Sequence, residues 1–243
     1  MKTAAKNSLT MFLACTLITG YAAAAYLRNN IYLTPVTLWG ATAVATLHKQ
    51  RPHENYGQSL SAAGFYQEAL REFKRVQSMP DDGSVPLRDL YREIGVVYFR
   101  LNMLDESIAA WKRGLLYAAF DPGLMNNLAL AFLQKGQYAE AEAYATQGLV
   151  LCGTMPSLLN TLGEVAMRNR DYGRAVNYFI QVLDINPEDS SVTWNVALAY
   201  TQTGQYEKAL VYVNRYLARE SGPRNRQQAI ELLNNLNAKL GRQ

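Results

Sequence analysis

The sequence predicts an all-α protein, in which a helical-hairpin solenoid follows a single N-terminal transmembrane helix. Two observations lead to this fold class. A pattern of small, apolar and aromatic residues recurs every 34 positions over most of the 243 residues, and a period of this size is typical of stacked helical hairpins. Before the repeats, 20 consecutive residues carry no charge, which is about the length that a helix needs to cross a bilayer.

The uncharged segment extends from Ser8 to Leu27, with Lys2 and Lys6 before it and Arg28 after it. At about 1.5 Å per residue, a helix of this length just spans an apolar layer of about 30 Å. A cleavable signal peptide is the alternative, because the alanines at 22–25 offer small-residue cleavage sites. The apolar run is longer than the roughly 7–15 residues of a signal peptide, so an uncleaved anchor is predicted.

The charges around this segment predict its orientation. Two lysines and the amino terminus precede it, and positive residues tend to stay on the cytoplasmic side. The N-terminus is therefore predicted to be cytoplasmic, with the repeats outside the cytoplasm, in the periplasm of a bacterial cell or an equivalent space. Arg28, Lys49 and Arg51 favour the opposite orientation.

Small residues recur along one face of the predicted anchor, at Thr16, Gly20 and Ala24. Such a stripe lets another membrane helix approach closely. The same spacing also arises by chance in alanine-rich helices, so both interpretations stay open.

The repeats begin near residues 50, 88, 122, 156 and 190, and four extra residues after the first frame fit a loop at Pro80–Gly83. A last amphipathic helix, Arg226–Leu240, suits the polar-faced cap that repeat arrays need. The predicted segments are an N-terminal tip and anchor (1–28), a junction with a half-repeat helix (29–49), five repeats (50–83, 88–121, 122–155, 156–189, 190–222) and a capping helix (223–243).

Each frame carries the same kinds of residue at the same positions. The pairs in the first helix are Tyr56-Gly57, Ile94-Gly95, Leu128-Ala129, Leu162-Gly163 and Val196-Ala197. The small residues opening the second helix are Ala69, Ser107, Ala141, Ala175 and Ala209. This pattern resembles the tetratricopeptide repeat (TPR), and the resemblance implies helix–turn–helix units whose first helices line a concave surface that binds proteins.

The segment before the first repeat resembles a second group of proteins. Arg28-Asn29, Tyr32, the run from Thr34 to Trp39 and the run from Arg51 to Gly57 look like the junction in polytopic TPR membrane proteins related to protein O-mannosyltransferases. The chain lacks the many membrane helices of that group. The resemblance therefore implies one anchor leading into a repeat domain, with Leu38, Trp39 and Ala43 in a half-repeat helix, and a glycosyltransferase only as a remote alternative.

The charge distribution disfavours nucleic-acid binding. Five of the 24 basic residues and none of the 20 acidic residues precede Glu54, so the repeats are close to neutral. The basicity that would attract a phosphate backbone therefore belongs to the N-terminal segment.

The sequence offers no site for chemistry. His48 and His53 are five residues apart, which does not place them on one helical face, so capping and surface roles are expected and not metal binding. Cys15 and Cys152 are too few for a disulfide framework. No Gly-rich phosphate loop or nucleophile elbow is present. We therefore predict a protein that is not an enzyme, without cofactor, metal or small-molecule substrate.

The TPR resemblance implies which side chains face the concave groove. Asn55, Asn127 and Asn195 share one position and resemble an asparagine ladder that grips an extended peptide, since each amide offers a donor and an acceptor; capping or solvation is the equal alternative. Trp194 is the expected anchor, because aromatic side chains often dominate binding. The predicted groove residues are Arg92, Arg100, Asn126, Asn127, Asn160, Glu164, Arg168, Trp194 and Asn195.

Two functions fit these features. The first is a membrane-anchored scaffold that binds protein partners as an accessory subunit of a multi-subunit membrane complex, on the extracytoplasmic side. The second is a periplasmic adaptor, freed by signal cleavage, that holds extended client peptides during secretion, pilus or polysaccharide assembly.

Overall fold

A computed structural model describes residues 16–26, 33–219 and 222–241. Every regular element in these ranges is a helix, which confirms the predicted all-α class of helical hairpins. Residues 16–26 are helical, and the helices after them are α1 (Pro35–Ala45), α2 (Gln50–Ala62), α3 (Tyr66–Ser78), α4 (Leu87–Arg100), α5 (Leu104–Tyr117), α6 (Pro122–Gln134), α7 (Tyr138–Cys152), α8 (Pro156–Arg168), α9 (Tyr172–Ile185), α10 (Ser190–Gln202), α11 (Tyr206–Leu217) and α12 (Pro223–Lys239).

The predicted anchor lies only partly within the described residues. Residues 8–15 and 27 fall outside them, as do the N-terminal tip, Cys15 and the junction residues 28–32. In the ranges that the structure describes, no helix is both long and apolar enough to cross a membrane. The predicted stripe of Thr16, Gly20 and Ala24 lies on the exposed helical residues 16–26, and a Cβ added at Gly20 would meet no atom within 4 Å.

The chain divides into two compact units, residues 1–103 and 104–243. In the first unit, each helix from α1 to α4 packs on the next, and α2 also contacts α4. Thr34 is the N-cap of α1, because its Oγ1 accepts a hydrogen bond from the backbone N–H of Thr37 at 3.1 Å. A close contact joins α2 to α3, where a Cβ at Gly57 would lie 2.7 Å from the fully buried ring of Phe73. Glycine is therefore required at this position of the hairpin.

The second unit contains α5 to α12 and repeats the same contact. Gly163 of α8 lies against the ring of Phe179 in α9, which is fully buried among apolar residues of α8, α9 and α10. Asp121, Asp171 and Asp189 precede α6, α9 and α10, and each carboxylate accepts a backbone N–H of the first helical turn. Such caps satisfy donors that the helix itself leaves free, and they begin each helix at a defined residue.

The turns within the hairpins use a left-handed residue. Gly64, Gly136 and Gly204 have φ between 72° and 86°, whereas Asn102 and Arg170 occupy the same place in the second and fourth hairpins with φ of 60° and 61°. Glycine adopts this conformation cheaply, and other residues do so at a cost of about 1–2 kcal/mol. The turn geometry is thus kept even where the favourable residue is missing.

The last helix, α12, packs on α11. Its Ala229 and Leu236 are fully buried in a cluster with Ala209, Val213 and Tyr216 of α11. One face of α12 therefore completes the apolar core of the second unit, as a capping helix would.

Candidate functional site

The second unit carries an open groove between α8 and α10, each of which is the first helix of its hairpin. We call it the α8–α10 groove. It encloses about 490 Å³ and is bounded by the end of α8, the start of α9 and the facing side of α10. Its lining residues are Glu164, Met167, Arg168, Tyr172, Phe179, Asn195 and Gln202. Three of the predicted groove residues, Glu164, Arg168 and Asn195, are thus brought together.

A polar row on α8 links this groove to a smaller pocket. Asn160, Glu164 and Arg168 follow one another at intervals of four residues, which places them on one helical face. Asn160 also lines a neighbouring pocket of about 330 Å³, with Asp189 and Ser191 at the start of α10. The row therefore runs along α8 from one pocket to the other.

The side-chain amide of Asn160 makes a hydrogen bond to Glu164 through its nitrogen, while its oxygen has no hydrogen-bond partner in the described part of the chain. Its Nδ2 donates a hydrogen bond to Oε1 of Glu164 at 2.7 Å. Its Oδ1 is buried and accepts no hydrogen bond from any residue that the structure describes. A buried acceptor without a donor is costly, so a ligand N–H that met this oxygen after a turn of the Asn160 side chain would be stabilised.

Two predicted groove residues lie elsewhere. Asn126 is only 8% exposed, and its Oδ1 accepts a hydrogen bond from Oγ1 of Thr161 at 3.2 Å. Trp194 is half-buried and stacks at a tilt on Tyr216 of α11, with 5.1 Å between ring centroids. Both side chains join one helix to another, and their role in binding a partner stays a prediction.

The remaining predicted residues are dispersed. Asn127 is half-buried on α6 and lines neither pocket described above. Arg92 and Arg100 belong to the first unit, where Arg92 pairs with Asp89 at 2.9 Å and Arg100 is exposed at the end of α4. Of the three asparagines predicted to form a ladder, Asn195 lines the α8–α10 groove, and the ladder itself stays a prediction.

The first unit has its own open groove, the α1–α2 groove, of about 680 Å³. Sequence reasoning did not find it, because its walls come from the turn after α2 as well as from α1. Its lining residues are Thr34, Pro35, Val36, Trp39, Asn55, Gln58, Ser59, Ala62, Ala63 and Phe65. None of these side chains carries a charge, which separates this groove from the one in the second unit.

Ionisable side chains are buried inside the first unit instead. His53 is 1% exposed, and its Nδ1 lies 2.7 Å from Oε2 of Glu72 in α3. The expected surface or capping role for His53 is therefore wrong. Glu54, also buried, pairs with Nη1 of Arg51 at 2.8 Å. The sequence signal for this pair is the spacing of three between Arg51 and Glu54, which places both on one face of α2.

Burial changes the acidity of two carboxyl groups in the first unit. It raises the pKa of Glu54, against the opposing effect of the Arg51 guanidinium, and Asp89 and Glu93 raise it further. Burial also raises the pKa of Glu93, partly offset by Arg92. Burial therefore disfavours the charged form of both carboxyl groups.

The arrangement suits recognition of a chain by hydrogen bonds. Amide, carboxylate and guanidinium groups together offer both donors and acceptors to a peptide backbone. Within the described ranges, no three His, Cys, Asp or Glu side chains are grouped so that they could hold a metal ion.

Solved structures share the fold of this chain. The MamA protein matches with a TM-score of 0.59 and 16% identity over 70% of this chain and 90% of its own. YrrB, described as a TPR protein with an unusual peptide-binding site, has a TM-score of 0.59 and 17% identity over 79% and 97%. Yeast Tom70 has a TM-score of 0.67 and 13% identity over 84% and 43%. Likeness at these identities concerns the fold alone.

A search of curated proteins finds no match. The family of the chain is instead identified by a family model. The tetratricopeptide repeat model matches residues 92–156 and 160–226, which together are more than half of the chain. Neither stretch reaches the junction at 28–57, so the resemblance to proteins related to O-mannosyltransferases gains no support from it. On the extent of this match, the chain belongs to the tetratricopeptide repeat family.

Proposed function

We propose that the chain is a membrane-anchored TPR scaffold that binds an extended segment of a protein partner in the α8–α10 groove. The observation that carries this proposal is the polar row on α8, in which Glu164 and Arg168 line the groove beside Asn195 and Asn160 continues the row into the smaller pocket, with its buried Oδ1 lacking a donor among the described residues. A partner's backbone N–H would supply that donor. The role is binding and not catalysis, and needs neither a cofactor nor a small-molecule substrate.

The proposed anchor is the uncharged segment from Ser8 to Leu27. It supports a place in a multi-subunit membrane complex, because a short tether holds the repeats near other membrane proteins and raises their effective concentration. The lysines at its start favour a cytoplasmic N-terminus with the repeats on the extracytoplasmic side.

The test is purification of the native chain from membranes in mild detergent, with and without groove substitutions. Asn160→Ala with Asn195→Ala should weaken retention of companion proteins by about tenfold or more, since each lost hydrogen bond contributes on the order of 1 kcal/mol. Asn127→Ala is the matched control, because that asparagine lines neither pocket. Equal recovery from all three chains, or a chain without companions, would overturn the proposal.

A second function, a signal-cleaved periplasmic adaptor for extended client peptides in secretion, pilus or polysaccharide assembly, is favoured by the alanines at 22–25. The same groove would then serve clients that pass and not a fixed complex. Intact-mass measurement of the mature chain decides between the two, because cleavage removes about the first 25 residues.

A further inference from the structure

The α1–α2 groove is apolar on both sides. Pro35, Val36 and Trp39 come from α1, while Ala62, Ala63 and Phe65 come from the end of α2 and the turn after it. Phe65 is 53% exposed although it is large and apolar. At about 680 Å³, the space falls in the range of pockets that hold small ligands, roughly 300–1,000 Å³.

The lining favours a ligand with a long apolar part and no strong charge. None of the ten side chains around the groove is ionisable, so a charged peptide segment or a phosphate group would find no counter-charge there. Asn55 offers an amide that can donate to an ester or carbonyl oxygen. Trp39 adds the kind of side chain that is enriched where membrane proteins meet the bilayer surface.

The position of the groove along the chain points to the same ligand. Thr34, the first lining residue, follows Leu27, the last residue of the proposed anchor, by seven positions. A stretch of seven residues spans at most about 25 Å. With the proposed anchor in the bilayer, Thr34 would lie within that distance of the bilayer edge, where acyl chains are the most abundant apolar groups.

We propose that the α1–α2 groove holds an acyl chain of a membrane lipid at the bilayer surface. This proposal rests on the membrane anchor of the proposed function. It adds to the anchor a second contact with the bilayer that fixes the first unit against the membrane.

The three tryptophans of the chain allow a test with the intact protein. The full chain, labelled with 5-fluorotryptophan, is placed in phosphatidylcholine nanodiscs with or without lipid bearing a nitroxide on its acyl chain. Trp39→Phe identifies the fluorine signal of Trp39. We expect the nitroxide to broaden that signal severalfold relative to the same sample with unlabelled lipid.

A matched pair of substitutions on α1 separates groove binding from mere nearness to the membrane. Val36→Asp places a charge in the groove, whereas Val44→Asp places one at a residue that is 73% exposed and does not line it. An aspartate in the first turn suits a helix N-terminus, so Val36→Asp should leave α1 folded, as circular dichroism would verify. The broadening should be lost in Val36→Asp and kept in Val44→Asp.

Alkaline carbonate extraction of the full chain from phosphatidylcholine vesicles distinguishes the two ways of failing. A chain that is washed out has no anchor, and both proposals fail together. A chain that stays in the membrane while Trp39 is not broadened, or while Val36→Asp leaves the broadening intact, keeps its anchor but holds no acyl chain. In that case an apolar segment of a protein partner becomes the better occupant.

Discussion

The two units of the chain differ in where their ionisable side chains lie. The first unit leaves its groove without charge and buries His53 and Glu54. The second unit presents Glu164 and Arg168 in its groove, and its buried polar side chains are all neutral among the residues that the structure describes. The repeat pattern therefore fixes the helices and their close contacts, while positions outside the pattern set the chemistry of each groove.

The largest expected effect tests what the units share. Phe73→Ala and Phe179→Ala each remove a fully buried ring that packs on a glycine of the same hairpin. Each should lower the free energy of unfolding by about 3–5 kcal/mol, measured by urea denaturation. Phe65→Ala is the control, because its half-exposed ring should cost less than about 1 kcal/mol. Unequal losses at Phe73 and Phe179 would show that the hairpins are not equivalent.

A smaller effect concerns the neutral polar core of the second unit. Thr161→Val removes a hydroxyl that lies 3.2 Å from the buried Oδ1 of Asn126 and 2.9 Å from the carbonyl oxygen of Ser157. We expect a loss of about 1–3 kcal/mol in unfolding free energy, while Thr203→Val, at an exposed residue, should change little. If Thr161→Val were neutral, the hydrogen bond would not define the contact between α6 and α8.

The turns offer a test in which one change stabilises and another destabilises. Arg170→Gly relieves a left-handed residue with φ of 61° and should raise the unfolding free energy by about 0.5–1 kcal/mol, whereas Gly204→Ala, at φ of 72°, should lower it by about 1 kcal/mol. Thermal denaturation of both variants measures the difference. Loss of stability in Arg170→Gly would mean that the arginine side chain contributes more than its backbone costs.

The smallest expected effect concerns the pH dependence of the unfolding free energy, which should change on substitution of Glu54 in the first unit but not of Glu188 in the second. Because burial raises the folded-state pKa of Glu54, its contribution to stability is present at low pH and is lost as pH rises through that raised value. Acidification from neutral pH should therefore stabilise the wild type relative to Glu54→Gln. Urea titrations between pH 7 and about 4.5, the ordinary range of a glutamate, measure this difference. Glu188→Gln, at an exposed carboxylate, should follow the wild type.

The helical hairpins could be predicted because the recurring residues that define them are the ones that pack against each other. Gly57 and Phe73, or Gly163 and Phe179, are 16 positions apart in the sequence and in direct contact in the structure. The groove was only partly predictable, because a position on a helix does not determine where a long side chain turns. Trp194 was placed on the correct helix, yet it packs on Tyr216.

The burial of polar side chains is the other feature that could not be predicted from the sequence. Asn126 and His53 carry the residue types of exposed positions, and only the partners brought to them by folding, Thr161 and Glu72, account for their burial. Neither partner lies near in sequence, so periodicity offered no signal for these pairs.

The burial of Ala229 and Leu236 against α11 gives α12 a role in limiting assembly. Each hairpin offers an apolar surface on which a further hairpin stacks, and α12 occupies that surface at the end of the array. A chain cut before Pro223 would expose this apolar surface to water. We expect that chain to associate end to end, so the length of the array is set as much by this helix as by the number of repeats.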